Sequence, residues 1–96
     1  MRFFWHDEAL CEYADAARYY NREENGLGGR FIGCVEAAIE SICERPKMCP
    51  VIDDGVRRKV TATFPYSIIY QEVNGLLMIV AVMHDSREPE YWKDRL

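Results

Sequence analysis

The sequence predicts an α+β domain of two layers, with an antiparallel helical hairpin packed on a three-stranded antiparallel meander. Two helical patterns come first, between Asp7 and Glu44, and β-prone segments follow from Val56 to His84. Helices and strands that are segregated along a chain are typical of this class. Asn74-Gly75 lies between two apolar runs, which indicates a tight hairpin turn. A length of 96 residues predicts a single domain with one core, residues 1–96.

A short N-terminal strand and a first helix open the chain. Arg2 to Trp5 is β-prone, and His6 or Asp7 is placed to cap the helix that follows. The predicted apolar stripe of this helix recurs at three- and four-residue steps, at Leu10, Tyr13, Ala14, Ala17 and Tyr20. The helix should end near Asn25-Gly26, because glycine accepts the left-handed conformation just beyond a last turn.

The second helix is predicted from about Gly29 to Glu44. It should stop at Arg45, because a residue that precedes proline is biased away from helical geometry. The connection between the two helices is short, so we expect them to pair antiparallel. Pro46 to Gly55 contains two prolines and an Asp-Asp-Gly sequence, and this composition predicts a loop.

The predicted sheet is centred on the run from Leu76 to Met83, which has no polar interruption. Such a run is typical of a central strand that is covered on both faces. Val56 to Thr63 alternates, which predicts a half-exposed strand with one apolar face (Val56, Val60, Ala62) and one polar face (Arg57, Lys59, Thr61). Arg58 interrupts the apolar face. Glu88-Pro89 should start a short C-terminal helix.

The second face of the central strand is expected to be partly bare. The helical hairpin covers one face of the sheet, and a short terminal helix covers only part of the other. This shortfall predicts a partner segment or a dimer contact on that face.

Composition and charge narrow the functional classes. No segment is long and apolar enough to span a bilayer and no signal peptide is evident, so we expect a cytoplasmic protein. The net charge of −4 disfavours general nucleic-acid binding. The four cysteines lack paired metal-ligand spacings, so neither a metal site nor another cofactor is predicted, and free thiols are expected.

Several motifs, taken in order, resemble one known family. They include Phe64-Pro65-Tyr66 at the start of a strand, His84 at the end of the next strand and Arg87-x-Pro89-x-Tyr91-Trp92-x-x-Arg95 beyond it. Earlier matches lie in both helices, at His6-Asp7-Glu8-Ala9, Ala17-x-x-Tyr20, Gly29-x-Phe31 and Val35-Glu36-x-Ala38-Ile39. On these residues the chain resembles the RelE/ParE superfamily of toxins from bacterial type II toxin–antitoxin modules, on its ParE-like, plasmid-stabilisation side.

The resemblance implies a toxin that a cognate antitoxin neutralises by wrapping an extended segment around it, as a hetero-oligomer. ParE-like members resemble non-enzymic poisons of DNA gyrase, whereas RelE-like members resemble metal-free mRNA endonucleases that act on the ribosome. A non-toxic remnant that only binds antitoxin is a further alternative. We favour the gyrase inhibitor, because the acidic balance opposes approach to ribosomal RNA at long range.

The nuclease alternative assigns catalytic roles to four residues. Metal-free RNA cleavage needs an acid, a base and cations that stabilise the charged phosphorane. His84 is the candidate acid or base, because its ordinary pKa is near neutrality. Arg58 and Arg87 would hold the phosphate, and Tyr91 would stack on a base or move a proton. Alternatively, His84 only bonds a backbone carbonyl or Asp85 at the end of the strand.

In the favoured interpretation a wider set of residues meets the antitoxin or the target. Structural alternatives exist for these residues. Arg57 and Lys59 would resist strand pairing at a sheet edge, and Arg58 would pair with a carboxylate of the first helix. Arg87 would pair with Glu90, and Tyr91 and Trp92 would cover the core. The predicted contact residues are Arg57, Arg58, Lys59, Tyr66, Arg87, Tyr91, Trp92 and Arg95.

Overall fold

The structure, a computed structural model that describes residues 1–96, confirms the α+β fold class, with two helices packed on a five-stranded mixed sheet. The elements in chain order are β1 (Phe3–Trp5), α1 (Asp7–Glu23), α2 (Leu27–Glu44), β2 (Val51–Asp53), β3 (Val56–Val60), β4 (Tyr66–Val73), β5 (Leu76–His84) and a 3₁₀ turn (Lys93–Arg95).

The sheet extends the predicted three-stranded meander by one strand at each edge, in the order β1-β5-β4-β3-β2. β1 pairs with β5 in parallel, and the other neighbours are antiparallel. The prediction of a loop across residues 46–55 is therefore wrong at β2. This strand has only three residues, so the flanking prolines and the Asp-Asp-Gly turn dominate the sequence pattern. Asn74 and Gly75 both have positive φ, as the predicted hairpin turn requires.

Helix α1 begins as predicted, because the Nδ1 atom of His6 accepts a hydrogen bond from the amide of Glu8 at 3.1 Å. Its buried face differs from the predicted stripe. Leu10 is 45% exposed, whereas Ala9 and Ala16 are buried. Small side chains on this face let the helix backbone approach β5 closely, and this packing outweighs the hydrophobicity of leucine.

A β-bulge in β5 changes which side chains face the helices. Tyr70 lies opposite Ile79 and Ile69 lies opposite Ala81, so Val80 is the extra residue on β5. As a result Leu77, Ile79 and Val82 join the core beneath the helices, while the remaining buried residues of the strand, Met78, Val80, Ala81 and Met83, face the other side. An unbroken apolar run has no alternation, so the sequence does not reveal this shift.

The second face of β5 is covered by the protein's own C-terminal residues, so the prediction of a partly bare central strand is wrong. Every residue from Leu77 to Met83 is buried. Trp92 is 1% exposed and packs in a second apolar cluster with Val56, Ile69, Met78, Val80, Ala81 and Met83. The predicted terminal helix is reduced to turns and the 3₁₀ turn, and one large indole ring fills the space that a helix would otherwise cover.

β3 is shorter than the sequence pattern suggests. It ends at Val60, which is 60% exposed rather than buried. Thr61, predicted on the polar face, is buried, and its hydroxyl donates to the carbonyl oxygens of Phe64 and Tyr66 at 3.1 and 2.8 Å. The alternation stops with the strand, so the positions of Thr61 and Ala62 are set by the following turn.

None of the helices combines the length and the apolar character that crossing a membrane would require. The two helices differ in composition, since α1 carries many charged residues and α2 carries most of the helical core side chains. These core side chains are Phe31, Val35, Ala38, Ile39 and Ile42.

The helical hairpin depends on a close approach at Gly28. A β-carbon at this position would lie 2.5 Å from the carbonyl oxygen of Ala17 and 2.8 Å from the β-carbon of Asn21. The contacts of a β-carbon in proteins are longer than these two distances, so α1 and α2 would have to move apart. Gly33, also in α2, has open space around its α-carbon.

Replacing these two glycines should therefore have opposite effects. Gly28→Ala should lower the free energy of unfolding by about 1–3 kcal/mol through overpacking. The matched control Gly33→Ala should raise it by about 0.5–1 kcal/mol, because alanine favours a helix interior. Urea unfolding followed by circular dichroism measures both values. Equal stabilisation by the two variants would contradict the close approach.

Candidate functional site

The carboxylate of Glu12 joins the first helix to the central strand and to the C-terminal residues. It accepts hydrogen bonds from the amide of Val82 at 3.0 Å and the hydroxyl of Tyr91 at 2.7 Å. Both terminal nitrogens of Arg95 also donate to it, each at 2.9 Å. This two-pronged guanidinium–carboxylate pair is the geometry that arginine favours. We call Glu12, Tyr91 and Arg95 the clasp.

The clasp satisfies backbone groups that β1 leaves without a partner. β1 ends at Trp5, so the edge of β5 beyond Ile79 has no neighbouring strand. There the carbonyl oxygen of Val80 accepts from Arg95 at 3.0 Å, and the amide of Val82 donates to Glu12. Side chains thus make the hydrogen bonds that a neighbouring strand would make, because buried backbone groups need such partners.

Burial and charge set the protonation states in the clasp. The side chain of Arg95 is 7% exposed and that of Glu12 is 18% exposed. The hydrogen bond to Glu12 raises the pKa of Arg95, so this guanidinium stays charged. Burial, reinforced by the hydrogen bond to Glu12, raises the pKa of the Tyr91 hydroxyl well above its ordinary value. Tyr91 is therefore a fixed hydrogen-bond donor at neutral pH.

A cleft of about 310 Å³ adjoins the clasp and brings together four of the predicted site residues, Tyr66, His84, Arg87 and Tyr91. Its acidic lining comes from Glu12 and Asp15. Throughout the chain, no group of three or more His, Cys, Asp or Glu side chains is arranged to hold a metal ion.

Within the cleft, His84 and Arg87 make local contacts. The Nδ1 atom of His84 is 3.0 Å from the amide of Ser86 and 2.7 Å from its hydroxyl. The predicted alternative, in which His84 bonds a backbone carbonyl or Asp85, is therefore wrong, because its partner is Ser86. The guanidinium of Arg87 lies 3.8 Å from the centre of the Tyr91 ring, a cation–π contact. Glu90, its predicted alternative partner, pairs with Lys93 instead.

Arg58 lies on the sheet face opposite the helices, away from His84. Its neighbour in the β3–β4 register, Ile69, belongs to the cluster around Trp92, whereas Tyr66, opposite His84, packs beneath the helices. Arg58 donates to Ser67 at 2.9 Å and to Asp85 at 3.1 Å. The predicted alternative, in which Arg58 pairs with a carboxylate of α1, is therefore wrong. Arg95 makes that pair, with Glu12.

The other predicted contact residues divide between interior and surface. Arg57 donates to the carbonyl oxygens of Lys47 and Cys49 at 3.1 and 2.7 Å, and so anchors the loop before β2. Trp92 and Arg95 are almost fully enclosed. Lys59 belongs to none of the chain's ion pairs.

Glu12 is a functional residue that the sequence patterns do not single out. A signal was present, since Ala9, Glu12 and Ala16 are spaced at three and four residues and share one helix face. Two alanines give that face little hydrophobicity, so the sequence predicts the apolar stripe on the larger side chains. A carboxylate on a buried alanine face needs a buried donor, which here is Arg95.

Comparisons with known proteins agree with this architecture. The sequence model of the family described as "ParE toxin of type II toxin-antitoxin system, parDE" matches residues 3–89. A solved structure described as "Chromosomal ParDE TA system from P. aeruginosa" superposes with a TM-score of 0.65 at 14% sequence identity, covering 88% of this chain and 95% of that one. No curated protein matches the sequence significantly.

The Tyr91 hydroxyl gives a test of the clasp that depends on pH. Tyr91→Phe should lower the free energy of unfolding at pH 7 by about 1.5 kcal/mol, the low end for a hydrogen bond to a charged group. The tyrosine of the unfolded chain ionises near its ordinary pKa of 10.0, whereas folded Tyr91 keeps its proton to higher pH. Its contribution is therefore complete below pH 10 and is lost as the pH rises above 10.

Unfolding by urea at pH 7 and at steps above about pH 10 measures this effect. The difference between wild type and Tyr91→Phe should shrink as the pH rises. Tyr19→Phe is the control at pH 7, because Tyr19 is 49% exposed and should contribute less than about 0.5 kcal/mol. A constant difference across the pH range would contradict a clasp held by the protonated hydroxyl.

Proposed function

The chain belongs to the ParE family of toxins from type II toxin–antitoxin systems, and from this premise we propose that it arrests growth by poisoning DNA gyrase through protein contacts. In this proposal the protein acts without catalysing a reaction of its own. A cognate antitoxin in the same cytoplasm holds it silent in a hetero-oligomeric complex.

The charge of the cleft around His84 is the observation that carries the proposal. The two carboxylates that line this cleft are already paired, Glu12 with Arg95 and Asp15 with Arg18. The single cation in the lining, Arg87, has its guanidinium over the Tyr91 ring. The cleft thus offers a phosphate little positive charge, whereas a nuclease site needs cations directed at the reacting phosphate. The cleft therefore suits a protein surface better than an RNA strand.

The positions of the other candidate catalytic residues support the same conclusion. Arg58 is on the opposite face of the sheet and is occupied by Asp85 at 3.1 Å. Tyr91 donates its hydroxyl to Glu12 and has a raised pKa, so it is a poor proton shuttle near pH 7. His84 is left without a second acid or base from the predicted set.

An antitoxin partner is supported by the family and by the solved structure. The ParDE structure from P. aeruginosa is that of a toxin–antitoxin system, and this chain shares its fold over 88% of the chain's length. The clasp and Trp92 cover the central strand, so the antitoxin has to use other exposed surfaces. The acidic balance of the chain also suits partners with basic surfaces, although local basic regions remain.

The mRNA endonuclease stays as a second candidate, because His84, Arg87 and Tyr91 do line one cleft. In that alternative the partners would be the ribosome and mRNA, and the ribosome would have to supply the cations that the cleft lacks. The two candidates differ in how strongly they depend on His84.

One experiment separates the two candidates in the same cells. The toxin is induced alone in bacteria, and plasmid supercoiling, gyrase–DNA cleavage complexes and transcript integrity are measured together. The gyrase proposal predicts relaxed plasmid and accumulated cleavage complexes with intact transcripts. Purified protein should likewise block supercoiling by purified gyrase.

His84→Ala is the variant that discriminates between them, with circular dichroism as the check of folding. Gyrase inhibition and growth arrest should persist in this variant. A nuclease that loses its acid or base should lose about 10²- to 10⁴-fold in rate, with growth restored. Cut transcripts with unaffected gyrase would overturn the proposal. Normal growth on induction of the folded protein would indicate a non-toxic remnant.

A further inference from the structure

The edge of the sheet that β1 forms is open and apolar. Phe3 is 42% exposed and Phe4 is 38% exposed, and these neighbours point to opposite faces of the strand. On the helix side, a cavity of about 700 Å³ lies beside β1. Its apolar lining consists of Met1, Phe3, Trp5, Tyr13, Ile39 and Cys43. We call this surface the β1 edge.

The backbone of β1 carries hydrogen-bonding groups that the rest of the sheet does not use. The residues that flank the strand, Arg2 and His6, each bond to β5 at 2.9 Å. Because hydrogen-bonding directions alternate along a strand, Phe4 also faces β5, whereas the amides and carbonyls of Phe3 and Trp5 face outward. None of the backbone hydrogen bonds in turns, loops and caps satisfies these outward groups.

The β1 edge lacks most of the features that keep an exposed edge strand from pairing. Such strands usually carry a charged residue, a proline or a bulge. The sequence of β1 is Phe3-Phe4-Trp5, and its register with β5 is regular. Its short length, three residues, is the one protective feature, and this length limits the strength of any pairing.

The charges beside the β1 edge are of both signs and are unpaired. Arg2 and Glu40 line the same cavity, but neither takes part in any of the chain's ion pairs. Asp7, at the start of α1, is also outside these pairs. In a two-fold symmetric contact each residue meets a different residue of the other copy, and it does so twice. Opposite charges that do not meet within one chain can therefore meet between two copies.

We propose that the β1 edge binds a second copy of this chain. A two-fold axis at Phe4 makes the two β1 strands antiparallel, and Phe3 of each copy then exchanges two backbone hydrogen bonds with Trp5 of the other. The two Phe4 side chains face each other across the axis. This register also places Arg2 opposite His6 of the other copy, beside Asp7.

The mixed charge of the β1 edge favours a second copy over a partner of one charge. A polyanion such as RNA would meet the carboxylates of Glu36 and Glu40 in the cavity lining. A polycation would meet Arg2 and the N-terminal ammonium group, which lies 3.0 Å from the carbonyl oxygen of Cys43. A second copy presents both signs. The inference is independent of the proposed function, because it concerns the chain alone.

Analytical ultracentrifugation of the full-length protein tests the proposal. The average mass should rise from 11.2 kDa toward twice that value as the protein concentration is raised to about 1 mM, which reaches the range of weak complexes. Phe4→Lys should weaken the dimer by at least about tenfold, since it removes an aromatic pair and places two ammonium groups at the axis. The matched control is Val51→Lys, on the opposite edge strand β2, where Val51 is 57% exposed. It should stay within about twofold.

A charge exchange tests the register. Arg2→Glu and Asp7→Arg should each weaken the dimer by about fivefold or more, because the two-fold axis doubles the effect of each change. The variant that carries both substitutions should return to within about twofold of the wild type. Circular dichroism of the dilute proteins checks that each variant is folded. Unchanged dimerisation in the single variants, or no recovery in the double variant, would overturn the proposal.

Hydrogen exchange locates the contact. The amides of Phe3 and Trp5 should exchange rapidly in dilute protein and slow by at least about fivefold once most of the protein is dimeric. The amide of Phe4 faces β5 and should not change, so it is the internal control. A protein that stays monomeric to about 1 mM, or a dimer with unprotected Phe3 and Trp5, would overturn the proposal. Protection of these two amides only after addition of antitoxin or RNA would also overturn it and assign the β1 edge to that partner.

Discussion

The fold depends on one carboxylate that completes the edge of the central strand. β1 is three residues long and β5 is nine, so a parallel partner can satisfy only part of β5. The remaining edge needs donors and acceptors, because unpaired backbone groups are expensive to bury. Glu12 and Arg95 provide them from opposite ends of the chain. A buried ion pair adds less stability than its Coulomb attraction suggests, but removing one partner leaves an uncompensated charge.

The same pair explains why the second face of the sheet is closed. Arg95 is held by Glu12, and Trp92 lies three residues earlier, so the clasp fixes the indole ring over Met78, Val80 and Met83. The bulge at Val80 turns two consecutive side chains, Val80 and Ala81, toward that ring. What remains open is the periphery of the sheet. There the cleft by His84 adjoins the clasp.

Much of this architecture could be predicted from local patterns. The helical hairpin, the Asn74-Gly75 turn and the central strand each follow from short-range signals that the structure confirms. The clasp could not be predicted, because it joins residues separated by 83 positions, which single-residue patterns do not link. The prediction of a partly bare sheet face is wrong for the same reason, whereas the alternative in which Trp92 covers the core is confirmed. The predicted site residues cluster in part, since His84, Arg87 and Tyr91 meet while Arg58 lies across the sheet.

Native-state hydrogen exchange at Val82 tests the role of Glu12 most directly. In the wild-type protein the Val82 amide should be as protected as the amides of β4, since it donates to Glu12 inside the fold. In Glu12→Ala the β4 amides should keep their protection relative to global unfolding, while Val82 becomes much faster than they are. A Val82 amide that stays as protected as β4 after this substitution would show that Glu12 does not complete the edge of the central strand.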